Sequence, residues 1–463
     1  MSRPPTAGLI LAAGLGTRMK SEIPKALHLV AGMPMVELVS RAVRGAGIAR
    51  PTVVVGHCGE AVIESLGESH EFVWQREQKG TGHAVLMAAE ALRGHHGPVL
   101  VTPGDTPLLS ADTLARLIEA YHAESAQVSM ATFVTVEPQG YGRIVRDEYD
   151  AVAGIVEDRD ATPAQRAILE VNPAVYCFDC QLLLEVVQGL GTDNSQGEVY
   201  LTDAIAAIHA QGGKIVAETF DDPDEFMGVN DRWQLAEAAR ILRLRTLRKH
   251  AMNGVTIVDP SSTYITLDVE IEADALIEPM TVVEGTTRIA AGARIGPNAW
   301  VKDSEIGRDC RVFMSHVDQA SMGEGSRCGP FSNLRPGTRL GARVKVGNFV
   351  EVKNSEVGEG TAVSHLTYIG DASVGSGANI GAGTITCNYD GYKKHRTKIG
   401  DGAFIGSNST LVAPVEIGDN GFVAAGSVIT KEVPEGALGV GRARQEVREG
   451  WVNSWKAKKS SKE

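Results

Sequence analysis

The sequence lacks three features that mark particular classes of protein. It has no stretch of about eighteen apolar residues, the length that a membrane-spanning helix requires. Basic residues are not in excess: 45 lysines and arginines face 57 aspartates and glutamates, which excludes binding of nucleic acid through overall charge. The six cysteines form no framework, and for the lone CxxC of Cys177 and Cys180 ordinary packing is predicted rather than zinc or redox chemistry. These absences predict a soluble cytoplasmic protein with no integral membrane contact.

Aliphatic side chains repeat every six residues through the second half of the chain. The two clearest series are Ile271, Ile277, Val283, Ile289, Ile295 and Val301, and Ile399, Ile405, Leu411, Ile417, Val423 and Ile429. Neither an α-helix nor a simple alternating strand has this period. The spacing predicts a parallel β-helix of hexapeptide repeats, in which each repeat turns one aliphatic side chain inward.

The first half alternates apolar runs with helical stretches. The apolar runs predict buried parallel strands over residues 6–13, 51–56, 98–102 and 128–136. Helices are predicted over 83–93 and over 110–124, with Ser110 at the N-cap of the second. This order is typical of a Rossmann-like, doubly wound α/β domain, whose ligands bind at the carboxyl ends of the strands.

A linker helix is predicted between the two halves. Residues 231–250 contain no glycine or proline, carry apolar side chains at helical spacing and precede a stop signal at Asn253 and Gly254. The predicted organisation is an α/β domain over 1–230, a linker helix over 231–252 and a β-helix domain over 253–463.

The hexad repeat breaks between Ile380 and Ile399, and a break of this kind predicts a projecting, functional loop. From Gly441 onward the sequence is polar and basic, so a disordered, solvated tail is predicted there rather than a phosphate-binding arm.

A glycine-rich turn follows the first predicted strand. Residues 11–19 read LAAGLGTRM, and Pro24 and Lys25 come shortly after. Glycines let backbone N–H groups approach phosphate oxygens, and Arg18 and Lys25 add positive charge. Asp105 follows the apolar run 98–102, where an acid can meet a metal–nucleotide complex, although a turn cap is the alternative for a lone aspartate.

These residues resemble the signature of sugar-1-phosphate nucleotidyltransferases. The resemblance continues through residues 75–84, 104–105, 140–144, 154–157, 196–203 and 228–230. In order and spacing they are similar to the bacterial family of bifunctional N-acetylglucosamine-1-phosphate uridyltransferases/glucosamine-1-phosphate acetyltransferases. The domain 1–230 is then expected to be a pyrophosphorylase domain that couples N-acetylglucosamine 1-phosphate to UTP.

The resemblance implies roles for individual residues of this domain. Arg18 and Lys25 would be catalytic and offset developing charge, and Asp105 and Asn230 would ligate Mg²⁺. The residues expected to bind UTP and the UDP-sugar are Leu11, Ala12, Ala13, Gly14, Lys25, Gln75, Gly80, Thr81, Pro103, Gly104, Asp105, Gly140, Glu157, Asn172 and Asn230. Two positions depart from the family pattern: Pro103 stands where tyrosine is frequent, and Pro173 where threonine or serine is common.

The β-helix region concentrates polar and aromatic residues around its break. They lie in segments 334–337, 347–353, 365–371 and 379–391, more densely than the outer face of a structural solenoid requires. A lone histidine in such a repeat is more often structural. The segments, however, resemble the acetyltransferase half of the same family, which implies that His365 is the general base.

Further roles in this half also come from the resemblance. Expected to bind glucosamine 1-phosphate are Arg335, Lys353, Tyr368, Asn379 and Lys394. Expected to bind acetyl-CoA are Ala382, Asn388, Tyr389, Ser407, Ala425 and Arg442, of which Asn388 and Tyr389 would also help to position the sugar. The family further implies a left-handed β-helix, a homotrimer with shared acetyl-CoA sites, and a product that feeds cell-envelope precursors.

Two other functions stay open at this stage. One is a monofunctional sugar-1-phosphate nucleotidyltransferase whose solenoid only assembles or regulates, against which the continuous motif 365–391 argues. The other is a non-enzymatic regulatory subunit, which could lose Arg18, Lys25, Asp105 or Asn230, whereas this chain has all four.

Overall fold

The computed structural model describes residues 4–460, so the last three residues of the predicted tail lie outside the described part. The chain divides into two units, Met1–Leu244 and Arg245–Glu463. This division falls inside the helix Arg232–Met252, and the domain limits at residues 230 and 252 stay a prediction. No helix within residues 4–460 is both long and apolar enough to cross a bilayer.

The first unit alternates strands and helices. Its strands are β1 (Ala7–Ala12), β2 (Leu29–Val30), β3 (Met33–Pro34), β4 (Thr52–Val55), β5 (Glu71–Trp74), β6 (Pro98–Pro103), β7 (Val128–Val134), β8 (Gly142–Arg146), β9 (Val152–Val156), β10 (Glu170–Asn172), β11 (Tyr176–Asp179) and β12 (Ile215–Phe220). Its helices are α1 (Met35–Gly45), α2 (Gly59–Leu66), α3 (Thr81–Met87), α4 (Ala89–Leu92), α5 (Ala111–Ala123), α6 (Pro163–Arg166), α7 (Cys180–Val187) and α8 (Asp203–Ala210), and α9 (Arg232–Met252) continues past its end.

One mixed sheet organises this unit. Its strand order is β5-β4-β1-β6-β11-β7-β10-β8-β9, with β12 also paired to β7. Strands β5, β4, β1 and β6 are parallel, as the apolar runs of β4, β1 and β6 predict. Strand β11 runs antiparallel to both β6 and β7, and β8, β9 and β10 form antiparallel pairs. The antiparallel strands β8 to β11 were not predicted, because they are only three to five residues long, too short for a clear period.

Local signals along the first unit have the predicted structures. The Ser110 hydroxyl caps α5 by accepting a hydrogen bond from the Thr113 backbone N–H at 3.1 Å. Asp231 caps α9 in the same way, and Gly254 follows the helix with a φ of +92°. Cys177 and Cys180 are buried in the core, where burial raises the pKa of the Cys177 thiol to about 12, so the packing prediction is confirmed.

The second unit consists of short strands on successive coils. They are β13 (Thr256–Ile257), β14 (Tyr264–Ile265), β15 (Glu270–Ile271), β16 (Leu276–Ile277), β17 (Val282–Glu284), β18 (Arg288–Ile289), β19 (Arg294–Ile295), β20 (Trp300–Lys302), β21 (Glu305–Ile306), β22 (Arg311–Val312), β23 (His316–Asp318), β24 (Ser321–Met322), β25 (Arg327–Cys328), β26 (Asn333–Leu334), β27 (Arg339–Leu340), β28 (Lys345–Lys353), β29 (Glu356–Val357), β30 (Ala362–Gly370), β31 (Ala372–Val374), β32 (Asn379–Ile380), β33 (Ile385–Cys387), β34 (Thr397–Ile399), β35 (Phe404–Ile405), β36 (Thr410–Val412), β37 (Val415–Ile417), β38 (Phe422–Val423), β39 (Val428–Ile429) and β40 (Leu438–Gly439).

These strands form the predicted parallel β-helix. Ile277 pairs in register with Ile295, three hexads further along, so three repeats complete one coil. The hexad aliphatics are buried in one continuous core, and only Ile271 near its start is partly exposed. The six-residue period is therefore the spacing of the inward-pointing side chains.

The break in the repeat is a loop, as predicted. It connects Cys387, the last residue of β33, with Thr397, the first of β34. An antiparallel bridge between Tyr389 and Lys394 closes its base, and the Asp390 carboxylate accepts hydrogen bonds from two backbone N–H groups inside it. The loop thus has a defined structure.

The prediction of a disordered tail is wrong over α10 (Trp451–Ser460), which is helical. The segment has no internal glycine or proline, and the Trp451 and Trp455 rings, one helical turn apart, stack with centroids 6.1 Å apart. Lys459 lies over the Trp455 ring. The helix is exposed along its whole length, so the predicted solvation is confirmed.

Candidate active sites

A cavity of about 480 Å³ opens in the first unit at the carboxyl ends of β1 and β6. Of the residues predicted to bind nucleotide, sugar or metal, it brings together Leu11, Ala12, Ala13, Gly14, Arg18, Lys25, Gln75, Gly80, Thr81, Pro103, Gly104, Asp105, Glu157 and Asn230. Ligands of open α/β sheets bind at this edge, which is where the sequence predicts the nucleotide site.

The glycine-rich turn is shaped by close packing against Lys25. Gly16 has a φ of +61°, and a Cβ atom there would lie 2.6 Å from the Cβ of Lys25. Thr17–Met19 and Lys25–Leu27 each form one turn of 3-10 helix, which brings Arg18 and Lys25 to the cavity. Any side chain at position 16 would displace Lys25.

Asp105 and Asn230, the predicted metal ligands, converge on one point. The Lys25 ammonium donates to the Asp105 carboxylate and, at 2.7 Å, to the Asn230 Oδ1 atom. Arg18 donates to the same Oδ1 atom at 2.8 Å. Two hard oxygen atoms that share one cationic partner also fit a single divalent cation, whose other ligands would be phosphate oxygens and water. Within residues 4–460 no cluster of three or more histidine, cysteine, aspartate or glutamate side chains offers a metal site made by protein alone.

Glu157 lies in an acidic part of the cavity wall. Burial raises the pKa of its carboxyl group most strongly, and the Thr202 hydroxyl, donating at 2.9 Å, opposes this. The neighbouring carboxylates Asp203, Asp160 and Asp158 raise the pKa further. This wall suits a ligand rich in hydroxyl groups, whereas Arg18 and Lys25 suit phosphates.

Two predicted sugar-binding residues do not line the cavity. Asn172 is buried and donates from its amide to the Tyr176 hydroxyl at 2.8 Å, and Tyr176 lines the cavity in its place. The Gly140 N–H donates to the Asp158 carboxylate at 3.1 Å. Lining residues that the sequence analysis missed include Gln78, Ala174, Tyr176, Glu198, Leu201 and Thr202. Gln78 lies in the matched segment 75–84 and the last three lie in the matched segment 196–203, and these matches were the available signal.

Arg143 holds the Gly140 segment through Asp158. Its side chain is almost fully buried and donates to Asp158 Oδ1 at 2.9 Å and to the Tyr141 carbonyl oxygen. We expect Arg143→Leu to lower the free energy of unfolding by about 3 kcal/mol, because it leaves Asp158 without its cation. Urea denaturation of the variant measures this. Arg143→Leu combined with Asp158→Asn should recover part of the loss, and a single variant as stable as the wild type would contradict the prediction.

The second unit orients the imidazole of His365. Strands β28 and β30 pair so that Asn348 lies opposite His365 on the preceding coil. Their side chains meet with His365 Nδ1 2.5 Å from Asn348 Oδ1. A carbonyl oxygen only accepts, so Nδ1 donates in this contact, and Nε2 is the nitrogen that the exposed ring leaves open to a ligand. The sequence segment 347–353 contains Asn348, but no role was predicted for it. The six-residue spacing alone does not identify which residues of neighbouring coils lie opposite each other.

Three cations predicted to hold the sugar phosphate influence one another. Contact with Lys394 lowers the pKa of Lys353 most, and partial burial and the Lys394 and Arg335 charges lower it further. Arg335 also pairs with the Glu351 carboxylate at 2.6 Å. Cations that repel one another favour a bound anion between them.

The loop after β33 is tied to these cations. Asp371 accepts hydrogen bonds from Asn354 and from the predicted acetyl-CoA residue Asn388. Burial alone would raise the pKa of Asp371, but these hydrogen bonds and the nearby lysines lower it. The Asn388 side-chain nitrogen also lies 3.5 Å from the Tyr368 hydroxyl, whereas Tyr389 is exposed and its hydroxyl donates to the Gly391 carbonyl of its own loop.

The other predicted acetyl-CoA residues lie at one corner of successive coils. The Ala382 carbonyl accepts from the backbone N–H of Asn408, and the Ser407 carbonyl accepts from that of Gly426, next to Ala425. Arg442 packs near Gly426. Ala382, Ser407, Ala425 and Arg442 therefore form a column beside the coils that carry His365. Asn379, predicted to bind glucosamine 1-phosphate, is exposed on β32, in register with Ala362 of β30.

Comparison with known proteins matches both units. Residues 8–175 match the family described as MobA-like NTP transferase domain, and residues 396–431 match the bacterial transferase hexapeptide (six repeats). A bifunctional protein GlmU of Heliobacterium modesticaldum is 48% identical over 444 residues, covering 96% of this chain and 97% of that protein. The bifunctional protein GlmU of a Geobacillus species is 48% identical over 453 residues (98% of this chain, 99% of that protein), and that of Streptococcus agalactiae is 46% identical over 445 (96% and 97%).

Proposed function

The chain belongs to the family of bifunctional GlmU proteins, and from this premise we propose how its two units divide the chemistry. The protein is both a uridyltransferase and an acetyltransferase. The β-helix unit, left-handed in this family, transfers acetyl from acetyl-CoA to glucosamine 1-phosphate. The α/β unit then transfers UMP from UTP to N-acetylglucosamine 1-phosphate and releases pyrophosphate.

Acetyl transfer uses His365 as general base. The amino group of glucosamine 1-phosphate attacks the thioester carbonyl carbon, its proton passes to His365 Nε2, and the carbon–sulfur bond breaks to release CoA. Asn348 holds the ring by accepting from Nδ1. Arg335, Lys353 and Lys394 bind the sugar phosphate, and their mutual repulsion is relieved by its negative charge.

Uridyl transfer needs no protein nucleophile. A phosphate oxygen of N-acetylglucosamine 1-phosphate attacks the α-phosphorus of UTP in line with the departing pyrophosphate. Arg18 and Lys25 stabilise the charge that develops on the phosphates. Glu157, Tyr176 and Thr202 contact the sugar from the acidic wall, supported by the cavity lining that they share.

The nucleotidyltransferases of this family use a divalent metal, and we assign Mg²⁺ to this role here. Asp105 and Asn230 would hold it, because their oxygen atoms already converge on one cationic group. When bound, Mg²⁺ neutralises phosphate charge. Lys25 lies between these two side chains, so its ammonium group would contact the same phosphates as the metal ion.

One observation supports two activities over one: the hydrogen bond from His365 Nδ1 to Asn348 that orients the exposed imidazole. A solenoid that only assembled subunits would not need an oriented, exposed imidazole beside three cations. Incubating the protein with glucosamine 1-phosphate, acetyl-CoA, UTP and Mg²⁺ should yield UDP-N-acetylglucosamine by mass spectrometry. If product formed only when N-acetylglucosamine 1-phosphate was supplied, the monofunctional alternative would hold instead.

We propose further that the protein works as a homotrimer in the cytoplasm, where UTP and acetyl-CoA are available, and that its product feeds cell-envelope polysaccharides. The hexapeptide unit is typical of assembling proteins. Phe331, Phe349 and Leu366 project from one corner on consecutive coils, more than half exposed and at φ values near +50° that bulky residues rarely adopt. An exposed apolar column next to His365 fits a contact with a second copy at the acetyltransferase site.

Phe331→Asp is expected to weaken this contact, because it introduces charge into the apolar column two coils from His365. Light scattering should show loss of the trimer, and acetyl transfer should fall about tenfold or more, while UDP-sugar formation from supplied N-acetylglucosamine 1-phosphate persists. Tyr149→Asp, at an exposed aromatic residue of the first unit, is the matched control. A Phe331→Asp protein with the wild-type mass and both activities would contradict the proposal.

A further inference from the structure

The side-chain amide of Gln75 uses both of its N–H groups inside the protein. Gln75 follows β5 and is almost fully buried. Its Nε2 atom lies 3.0 Å from the Gly80 carbonyl oxygen and 3.0 Å from His83 Nδ1. An amide nitrogen can only donate, so His83 Nδ1 must accept. This hydrogen bond therefore requires the His83 tautomer whose proton is on Nε2, and the two partners fix which end of the amide faces the protein.

The remaining end of the amide, Oε1, faces the nucleotide cavity. Gln75 lines the cavity, and within residues 4–460 its Oε1 atom has no hydrogen-bond partner yet is not one of the unpaired atoms shut away from solvent. It is thus an oriented acceptor that a ligand can reach. A uracil ring presents a donor, N3–H, between two carbonyl groups, whereas cytosine presents an acceptor at N3.

We propose that His83 is a specificity-determining positioning residue: it locks the Gln75 amide so that Oε1 accepts from uracil N3–H and rejects cytosine. The inference rests on the proposed uridyltransferase activity and extends it to base selection. Without His83, one amide N–H loses its partner and the amide can rotate, which would present N–H groups to the base. Discrimination between the two bases is large because the wrong base would leave a buried polar group without a suitable hydrogen-bond partner.

The second anchor of the amide is rigid. Gly80 has a φ of +101°, and a Cβ atom there would lie 2.5 Å from the Val199 carbonyl oxygen. Its carbonyl group therefore cannot easily follow a moving Gln75. His83 lies in the first turn of α3, so its ring is held by the helix, and the amide is clamped between two fixed acceptors.

Two substitutions distinguish the effect of the hydrogen-bond acceptor at His83 from the effect of the size of its ring. Asparagine carries its Oδ1 atom where histidine carries Nδ1, so His83→Asn keeps an acceptor, whereas His83→Leu removes it. We expect the ratio of kcat/KM for UTP to that for CTP to fall about tenfold in His83→Leu, through a higher KM for UTP with kcat nearly kept. His83→Asn should retain the ratio within about threefold. His83→Ala replaces His83→Leu if the leucine variant does not fold.

His57→Leu, at an exposed histidine of the same unit, is the matched control. A wild-type protein that forms no UDP-sugar would overturn the proposed function itself. With an active wild type, unchanged UTP preference in His83→Leu, or equal losses in His83→Leu and His83→Asn, would overturn the role of His83 alone.

Discussion

His365→Ala is expected to abolish acetyl transfer and leave uridyl transfer intact. Loss of a positioned general base lowers kcat by about two to four orders of magnitude, and within residues 4–460 no other histidine at this corner of the β-helix is oriented by an acceptor at Nδ1. Release of CoA from acetyl-CoA with glucosamine 1-phosphate measures the first activity. Conversion of supplied N-acetylglucosamine 1-phosphate with UTP measures the second.

Asn348→Ala tests whether the orientation of the His365 ring matters. It should lower kcat about tenfold, less than loss of His365, because the base remains but its tautomer and direction are no longer fixed.

His316→Ala is the matched control for His365→Ala, because His316 is an exposed histidine on an earlier coil of the same unit. Wild-type acetyl transfer in His365→Ala would remove the general base from the mechanism.

Asp105→Ala should produce the opposite pattern. We expect UDP-N-acetylglucosamine formation to fall about a thousandfold, because a metal ligand worth several kcal/mol of charge stabilisation is lost and Lys25 loses its carboxylate partner. Acetyl transfer should continue at the wild-type rate. Pyrophosphate release measures the first effect and CoA release the second.

The matched control for Asp105→Ala is Asp112→Ala, at an exposed acid in the first turn of α5. Chelation by EDTA should silence uridyl transfer in the wild type, and excess Mg²⁺ should restore it there but not in Asp105→Ala. If Asp105→Ala lost acetyl transfer and kept UDP-sugar formation, the assignment of activities to the two units would be reversed.

The proposed nucleotide site could be predicted to the extent that its residues are close in sequence to strand ends. Leu11 to Gly14 and Pro103 to Asp105 directly follow β1 and β6, and parallel strands that end at one edge bring such residues together. Asn172 and Tyr176 show the limit. The family resemblance marks Asn172, but its amide donates to the hydroxyl of Tyr176, four residues further along the chain, and Tyr176 lines the cavity.

The β-helix shows the same limit in a different way. Hexads predict which side chains point inward, but the facing of Asn348 and His365 depends on how many residues each coil contains. In some coils one repeat has five residues instead of six, which shortens the coil. Which residues face each other on neighbouring coils is therefore a property of the folded β-helix. The break in the six-residue repeat predicted the loop after Cys387. The bridge between Tyr389 and Lys394 that closes this loop was not predicted.

The sequence by itself determined the two architectures, the position of the loop and the residues of both sites that lie in contiguous motifs, because periodicity and strand-end motifs are local properties of the chain. The tertiary structure alone decided which tautomer His365 adopts, which end of the Gln75 amide meets the cavity, and that Lys25 joins Asp105 and Asn230. Each of these depends on a donor and an acceptor from different coils, strands or loops. Hydrogen bonds require distances near 3 Å, and only the packed chain brings such groups that close.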